Sequence, residues 1–393
     1  MKKNSAILGA AFLMATSAIG PGFLTQTTKF TSELLASFGF VILISLLLDI
    51  GAQVNIWRII TVSNKRAQDL ANQLVPGLGI GLAILIGIGG LVFNVGNIGG
   101  TGLGLNALTG LDAVSGAIIS CIVALAIFWY REAGVLMDRV VKILGLVMIL
   151  FTLFIAIKSQ PPVGEALLRT VLPEQIDILK IITLVGGTVG GYISFAGAHR
   201  LMDAGIKGKE SLPQVTRSSV SGILITSVMR FVLFFAALGV VWNGAQLDDS
   251  NPAASVFKLA AGNTGFRFFG LVMWCAAITS VLGASYTTIS FFKTLHPFIN
   301  KHYRVLVTMF IITSTIIFII IRQPVTMLIV AGALNGLILP VALAVILIAA
   351  TKTRIVGTYK HPIWLYIAGW IVVAVMTFMG IKILSDTGSR LFN

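Results

Sequence analysis

The 393-residue sequence has few charged residues and almost no cysteine. Only 11% of its residues are Asp, Glu, Lys or Arg and 56% are hydrophobic, whereas soluble domains carry roughly 25% charged residues. This composition excludes an ordinary soluble enzyme and a disordered protein. The two cysteines, Cys121 and Cys275, each lie in an apolar run, which disfavours a disulfide framework and favours inert buried thiols. The sequence therefore predicts an integral membrane protein.

The sequence also lacks a GxxxxGK[ST] phosphate-binding loop. Its longest loops, near 158–178 and 243–264, are too short to form a soluble nucleotide-binding domain. Transport driven by ATP hydrolysis within this chain is therefore disfavoured, which leaves a channel or a secondary transporter. We expect no enzymatic activity and no cofactor.

Apolar runs of about 20 residues, each long enough to cross a bilayer as a helix, fill most of the chain. The basic residues lie in short groups between these runs, so the net charge of +14 predicts a lipid bilayer and not a nucleic acid as partner. Lys and Arg are about twice as frequent on one side, which predicts a multi-pass cell-membrane protein with a cytoplasmic N-terminus and an extracellular C-terminus. The predicted spans, about eleven in number, are 6–31, 36–58, 78–108, 112–130, 136–157, 179–203, 215–242, 265–292, 304–322, 325–350 and 361–384.

Two of these spans contain helix-breaking residues near mid-depth. The first carries Gly-Pro-Gly at 20–22, and the sixth carries paired glycines within 186–191. Unwound backbone persists in hydrocarbon only where it is buried in protein or lines a cavity. Each break opens a block of five spans, and because five is odd the second block enters the membrane from the opposite side. This pattern is typical of secondary transporters with inverted repeats, although the glycines could instead be packing faces or simple kinks.

The predicted architecture is all-helical, with a 5+5 inverted repeat and broken helices 1 and 6. Its parts are the first repeat (1–157), the second repeat (158–350), and an extra span with a C-terminal tail (351–393).

Three ionisable residues within or beside the spans are candidates for proton coupling. Asp49 in span two and Arg230 in span seven occupy equivalent positions in the two blocks, and ionisable residues inside a span usually pair or serve transport. We hypothesise an ion pair or a shared polar network between them; the alternative is that each reaches water alone. His199 follows the second break and could exchange protons near neutral pH, or could be merely solvated.

Two amides in span three, Asn94 and Asn97, share one helix face because they are three residues apart. They could line a site, or they could form hydrogen bonds between helices.

The motifs resemble those of the natural resistance-associated macrophage protein (NRAMP) family, which are metal transporters with the leucine-transporter-like fold. Gly-Pro-Gly-Phe at 20–23 stands where the family has Asp-Pro-Gly-Asn. The stretch 94–101 resembles the family's Asp-x-x-Glu-x-x-Gly-Thr, and 337–343 resembles its Leu-Gln-Leu-Pro-Phe-Ala-Leu. The resemblance runs through all the predicted spans and implies the same fold.

The departures from the family pattern fall on its metal-binding residues. The metal ligands of span one correspond to Gly20 and Phe23, and those of span six to Phe195 and Gly197. Hydrogen and phenyl groups cannot replace the oxygen, nitrogen or thioether ligands of a transition metal. The span-ten glutamine of the family corresponds to Ile338, and its two relay acids of span three correspond to Asn94 and Asn97. The resemblance therefore implies a retained scaffold without a metal site.

A Gly-rich break exposes peptide N–H groups, and a helix N-terminus attracts carboxylates. Similar breaks hold amino-acid carboxylates in transporters of this fold. We therefore expect a secondary transporter, coupled to protons, for a small organic carboxylate or amino-acid derivative, and family association suggests 5-oxoproline. The predicted substrate-binding residues are Gly20, Pro21, Gly22, Phe23, Thr25, Gln26, Asn94, Asn97, Gly191, Ser194, Phe195 and Gly197.

Two other functions remain open. A divalent-cation transporter could carry Mg²⁺, which keeps several waters and needs few direct ligands, or Mn²⁺, but the predicted site contains no carboxylate. A receptor or channel is disfavoured because the sequence has no recognisable ring of filter residues.

Overall fold

The computed structural model describes the backbone of residues 20–392 and their side chains, except those of 131–142, 384 and 386–392. Every regular element in this range is helical, which confirms the all-α prediction. Between residues 20 and 158 the α-helices are α1 (Pro21–Leu34), α2 (Phe38–Ser63), α3 (Ala67–Leu74), α4 (Leu78–Thr109), α5 (Ala113–Trp129) and α6 (Arg131–Lys158). Between residues 159 and 392 they are α7 (Val163–Val171), α8 (Ile178–Thr188), α9 (Ile193–Asp203), α10 (Leu212–Trp242), α11 (Pro252–Ser290), α12 (Pro297–Lys301), α13 (Tyr303–Ile321), α14 (Pro324–Ala350), α15 (Thr353–Val356) and α16 (Ile363–Phe392).

The predicted spans each correspond to helices of the structure. Within the described residues, eight helical stretches are long and apolar enough to cross a membrane, or nine if the bent pair formed by α6 and α7 is counted. The first stretch, Pro21–Ser63, contains both α1 and α2, separated by a 3-10 turn at Leu35–Ser37. α5 is apolar but has only 17 residues. The part of the first predicted span before Gly20 lies outside the described residues.

A further helical segment precedes the predicted eighth span, 265–292, and a kink at Gly262 separates the two within α11. α11 starts at Pro252, not near residue 265, because Asn251 caps its first turn by accepting a hydrogen bond from the Ala254 N–H. Gly262 then interrupts the helical dihedrals with a φ of 66°, which only glycine adopts readily.

α4 lies at the centre of the described helices and packs along α11 and α14. The packing is close because glycines face their neighbours: a Cβ added at Gly104 would lie 2.6 Å from the backbone nitrogen of Trp274. Small residues of this kind let membrane helices approach each other.

Ion pairs at the helix ends indicate which ends share a side. Lys180, near the start of α8, lies 3.1 Å from Glu33 at the end of α1. Arg66, just before α3, lies 2.7 Å from Asp203 at the end of α9. α8 and α9 run in succession through one span, so these two ion pairs lie at its opposite ends.

Candidate functional site

The described part of span one begins at the predicted Gly-Pro-Gly motif, where α1 starts. Gly20 is extended, with φ −100° and ψ −173°, and the helix begins at Pro21 without a hydrogen bond from any capping side chain. Proline at this position is favourable because the missing N–H has no partner within a helix anyway. Gly22 and Phe23 belong to the first turn, so this end of α1 presents its peptide N–H groups inside the protein.

The second break separates α8 from α9 at residues 189–192. The Gly191 N–H donates to the Asn335 carbonyl of α14 at 3.0 Å. Ser194 Oγ donates to the Val189 carbonyl at 2.6 Å, and Trp57 Nε1 of α2 donates to the Ser194 carbonyl at 3.0 Å. The first two bonds satisfy backbone groups that the interruption frees, as buried unwound backbone requires, and the third ties the start of α9 to α2.

The unwound segment is short and excludes three of the predicted substrate-binding residues. Ser194, Phe195 and Gly197 lie in α9 and not in the unwound segment. Gly197 is needed for packing, since a Cβ there would lie 2.5 Å from Cζ2 of Trp57. At Gly187 in α8, a Cβ would lie 2.6 Å from Oε1 of Gln26.

Arg230 joins the two breaks. It lies near the middle of α10 and is 1% exposed. Its guanidinium lies over the Phe23 ring of α1, 4.5 Å from the ring centroid. Its Nη1 donates to Thr188 Oγ1 at the end of α8, at 2.9 Å. Its Nε and Nη2 atoms are buried and have no hydrogen-bond partner.

Asp49 supplies the opposite charge. It lies near the middle of α2, is 1% exposed, and interacts electrostatically with Arg230. Its Oδ1 is buried without a hydrogen-bond partner. The charges of Asp49 and Arg230 therefore interact through space. Asp49 Oδ1 does not form a hydrogen bond with Nε or Nη2 of Arg230.

Two polar side chains of α1 lie one turn beyond Phe23. Gln26 Nε2 donates to the Leu328 carbonyl of α14 at 2.9 Å, while its Oε1 has no partner. Thr25 Oγ1 is also buried without a partner. The first two turns of α1 thus combine the uncapped helix end with unused hydrogen-bonding atoms.

The two amides of α4 have different surroundings. Asn94 Nδ2 donates to Ser285 of α11 and Ser314 of α13, at 3.1 and 3.0 Å, so this amide joins helices. Asn97 Nδ2 is buried without a partner. Gly100, one turn further along the same face, packs against Pro21, which puts Asn97 on the face of α4 that meets the start of α1.

His199, Phe195 and Gly197 belong to a different environment, further along α9. The ring centroid of His199 lies 4.5 Å from that of Phe291, and its Nε2 accepts a hydrogen bond from the Ala67 N–H at 3.3 Å. Phe195 also packs against Phe291, edge to face. These three residues contact α2, α3 and Phe291, which follows α11.

Arg230 therefore contacts Phe23 and Thr188 and interacts electrostatically with Asp49. Thr188 is not among the residues predicted from the sequence. A hydroxyl residue directly before the break was the available signal. No group of three or more His, Cys, Asp or Glu side chains that could hold a metal ion occurs within the described residues.

These features define a multi-pass secondary transporter whose sixth span is interrupted beside a buried charge, Arg230. The family model described as natural resistance-associated macrophage protein-like matches residues 11–386. The chain belongs to this family.

Known proteins support both the membership and the fold. The membrane protein YcsG of Bacillus subtilis (strain 168) is 62% identical over 377 residues, which cover 96% of this chain and 93% of that protein. A solved structure of a mutant Eremococcus coleocola manganese transporter is similar with a TM-score of 0.72 and 14% identity, covering 99% of this chain and 88% of that one. The structure of MhsT in complex with L-phenylalanine has a TM-score of 0.61 and 16% identity, covering 96% of each chain. These two likenesses concern the fold alone.

Proposed function

We propose that this transporter moves a small organic carboxylate or amino-acid derivative and that Arg230 binds its carboxylate group. The observation that carries the proposal is the guanidinium of Arg230, buried between Phe23 and Thr188 with two nitrogen atoms that lack partners. A planar guanidinium with free N–H groups matches the two oxygens of a carboxylate. A buried donor without a hydrogen-bond partner raises the free energy of the protein. An anion bound at Arg230 would accept hydrogen bonds from the two free nitrogen atoms and remove this cost.

The start of α1 adds to the attraction for an anion. No side chain caps this helix end, and the positive end of the helix dipole favours negative charge. Phe23 belongs to the first turn of α1 and holds the guanidinium against its ring. Arg230 and the helix end therefore attract the same carboxylate, and Thr25, Gln26 and Asn97 contribute further unpaired atoms.

We propose that a proton accompanies the anion. Arg230 and Asp49 bring opposite charges of equal size to the site, so a bound carboxylate adds one negative charge that must cross the membrane. A co-transported proton would make the load neutral and avoid the cost of moving a charge through hydrocarbon. Of the sequence candidates for this proton, Asp49 is favoured over His199 because it neighbours Arg230. 5-Oxoproline remains the specific substrate that we propose to test first.

A divalent cation is the second candidate substrate. Similarity in fold to a manganese transporter favours it. The positive charge of Arg230 at the break opposes it, because a divalent cation placed there would be repelled at low dielectric.

We also propose that the chain lies in the cell membrane with its N-terminus in the cytoplasm, and that residues 1–157 and 158–350 are inverted repeats.

Uptake into proteoliposomes tests the carboxylate proposal. We expect radiolabelled 5-oxoproline to accumulate in wild-type vesicles, faster with a pH gradient directed inwards. Arg230→Gln should reduce uptake at least about tenfold, the value of one lost charged hydrogen bond. Thr226→Val is the matched control, since Thr226 lies one turn away in α10 and donates only to the Gly222 carbonyl of its own helix.

The same vesicles test the alternative. Accumulation of Mn²⁺ or Mg²⁺, with no uptake of any carboxylate and no effect of Arg230→Gln, would contradict the proposal. Carboxylate uptake that is indifferent to the pH gradient would remove the proton from the mechanism and leave the substrate class intact.

A further inference from the structure

The structure uses one nitrogen of the Arg230 guanidinium and leaves the other two free. Nη1 donates to Thr188 Oγ1 at 2.9 Å, whereas Nε and Nη2 are buried without a hydrogen-bond partner among the described residues. We propose that Thr188 is a positioning residue: by holding Nη1, it presents the Nε–Nη2 edge of Arg230 for two-point recognition of a carboxylate. This inference rests on the proposed function and specifies how the same site recognises its ligand.

The two free nitrogens form one edge of the planar group. Nε and Nη2 lie on the same side of a guanidinium, so their N–H bonds run parallel and match the two oxygens of a carboxylate. The other edge that could act in this way, Nη1–Nη2, includes the nitrogen that Thr188 already binds. A carboxylate can therefore engage the Nε–Nη2 edge without competing with Thr188.

Thr188 has the hydrogen-bonding geometry to hold Nη1 in one orientation. It is the last residue of α8, it is 1% exposed, and its hydroxyl donates to the Leu184 carbonyl one turn back at 2.8 Å. A hydroxyl has one donor and two acceptor sites, so the bond to Leu184 uses its hydrogen and leaves its oxygen to accept from Arg230. The C-terminal end of a helix carries partial negative charge, which stabilises the guanidinium at this end of α8.

Phe23 and Thr188 restrain the guanidinium in different ways. The guanidinium carbon lies 4.5 Å from the centroid of the Phe23 ring, and such a contact restrains the position of a cation. A hydrogen bond to one particular nitrogen also restrains rotation of the group, because the bond weakens steeply as it bends. Without the Thr188 hydroxyl, a ligand would have to order the guanidinium on binding, which lowers its affinity.

A carboxylate and the corresponding amide differ in a way that this edge can distinguish. The carboxylate accepts from both nitrogens, whereas the amide places an N–H group against one of the two donors. Misalignment of the edge weakens a two-point contact more than a one-point contact. Loss of the Thr188 hydroxyl should therefore lower both the affinity for the acid and the advantage of the acid over the amide, whereas a loss of stability alone would leave the ratio of the two affinities unchanged.

Competition against radiolabelled 5-oxoproline, measured on the protein in nanodiscs with 5-oxoproline and 5-oxoprolinamide as competitors, tests the inference. We expect the wild type to bind the acid at least about tenfold more tightly than the amide, as one hydrogen bond to a charged group implies. Thr188→Val removes the hydroxyl at similar volume, and it should weaken binding of the acid at least about threefold and lower the ratio by about the same factor. Thr188→Ser keeps the hydroxyl and should stay within about twofold of the wild type.

Thr183→Val is the matched control for the valine substitution. Thr183 is also buried in α8, and its hydroxyl donates to the Leu179 carbonyl of its own helix, so this variant should keep the wild-type affinity and ratio. If Thr188→Val does not fold, Thr188→Ala removes the same hydroxyl with a smaller side chain. Arg230→Lys tests the edge itself, because lysine keeps the charge without a planar pair of donors, and the acid should bind at least about tenfold more weakly.

Wild-type affinity and ratio in Thr188→Val, or equal losses in Thr188→Val and Thr188→Ser, would overturn the positioning role. Wild-type affinity in Arg230→Lys would overturn recognition through the edge. In each of these cases the carboxylate proposal stands if Arg230→Gln abolishes binding. If the wild type binds neither 5-oxoproline nor proline, and Arg230→Gln behaves like the wild type in uptake, the proposed function itself is refuted.

Discussion

The guanidinium of Arg230 lies 4.5 Å from the centroid of the Phe23 ring, so the middle of α10 is tied to the first turn of α1. Any displacement of the start of α1 moves the surface on which Arg230 rests. The positive charge of the candidate site is therefore positioned by the helix next to the first break, and substitutions on α1 should alter affinity without touching the charge itself.

Replacing Phe23 tests this dependence. Phe23→Leu keeps an apolar side chain but removes the ring face, and a cation–π contact is worth about 0.5–2 kcal/mol, or roughly 2- to 30-fold in affinity. We expect KM for carboxylate uptake to rise within this range. In Phe269→Leu, which removes a buried ring stacked on Phe257 within α11, the protein should lose stability with KM unchanged. An unaltered KM in Phe23→Leu would mean that the ring does not position the guanidinium.

The two amides of α4 should respond differently to truncation. Asn94→Ala removes the hydrogen bonds to Ser285 and Ser314, and interhelical bonds in membranes average about 0.6 kcal/mol each. We expect a lower thermal unfolding temperature with an unchanged KM. Asn97→Ala, which removes an amide nitrogen without a partner, should raise KM with little loss of stability. Thermal unfolding and uptake measured on both variants would separate the two roles, and the reverse pattern would contradict this assignment.

Gly197 should not tolerate a larger side chain. In Gly197→Ala the new methyl group would lie 2.5 Å from Cζ2 of Trp57, and overpacking of this kind costs about 1–3 kcal/mol. We expect a lower thermal unfolding temperature. Gly81→Ala is the control, because Gly81 is also helical and has no neighbour within 4 Å of the added atom. Equal unfolding temperatures for the two variants would show that the contact with Trp57 does not limit the size of the side chain at position 197.

The stability of the protein should fall in mild acid through His361. This residue precedes α16, its Nε2 lies 2.7 Å from Asn55 Oδ1, and its Nδ1 lies 3.0 Å from the Tyr359 hydroxyl. Burial, with a smaller effect of the nearby Arg58 charge, lowers the pKa of His361 to about 4, against about 6.5 in an unfolded chain. Between these values the unfolded state binds more protons than the folded state, so stability declines as pH falls from 6.5 towards 4 and is unaffected by this residue above that window.

Unfolding temperatures measured from pH 7 to pH 4.5 would test this dependence. We expect the decline to be smaller in His361→Asn than in the wild type. His302→Gln, at a half-buried histidine outside this network, is the control. A decline of equal size in all three proteins would assign the acid sensitivity to other groups.

The helices could be predicted well from the sequence, since hydropathy and length are local properties. The predicted span 78–108 corresponds closely to α4, Leu78–Thr109. The extent of the second break could not be predicted in this way, because glycine serves two purposes that look identical in a sequence. Around residues 189–192 the chain unwinds, whereas Gly187 and Gly197 lie in helices and permit close contacts with Gln26 and Trp57.

The candidate site was predictable only in part for a related reason. Asp49 and Arg230 are charged residues within apolar runs, and such residues usually pair. Their electrostatic interaction was therefore predictable from the sequence. The hydroxyl of Thr188 and the ring of Phe23 become partners of Arg230 only through the arrangement of α1, α8 and α10 in space. Nothing in their local sequence distinguishes them from other threonines and phenylalanines in membrane helices.

The hydrogen bond from the Trp57 indole to the Ser194 carbonyl gives the protein an internal optical reporter. An indole ring changes its emission when its N–H loses a partner or meets water, and this ring touches α9 directly after the interruption in span six. Once the other five of the six tryptophans are replaced, the fluorescence of Trp57 would report any movement of α9 relative to α2, without an attached dye.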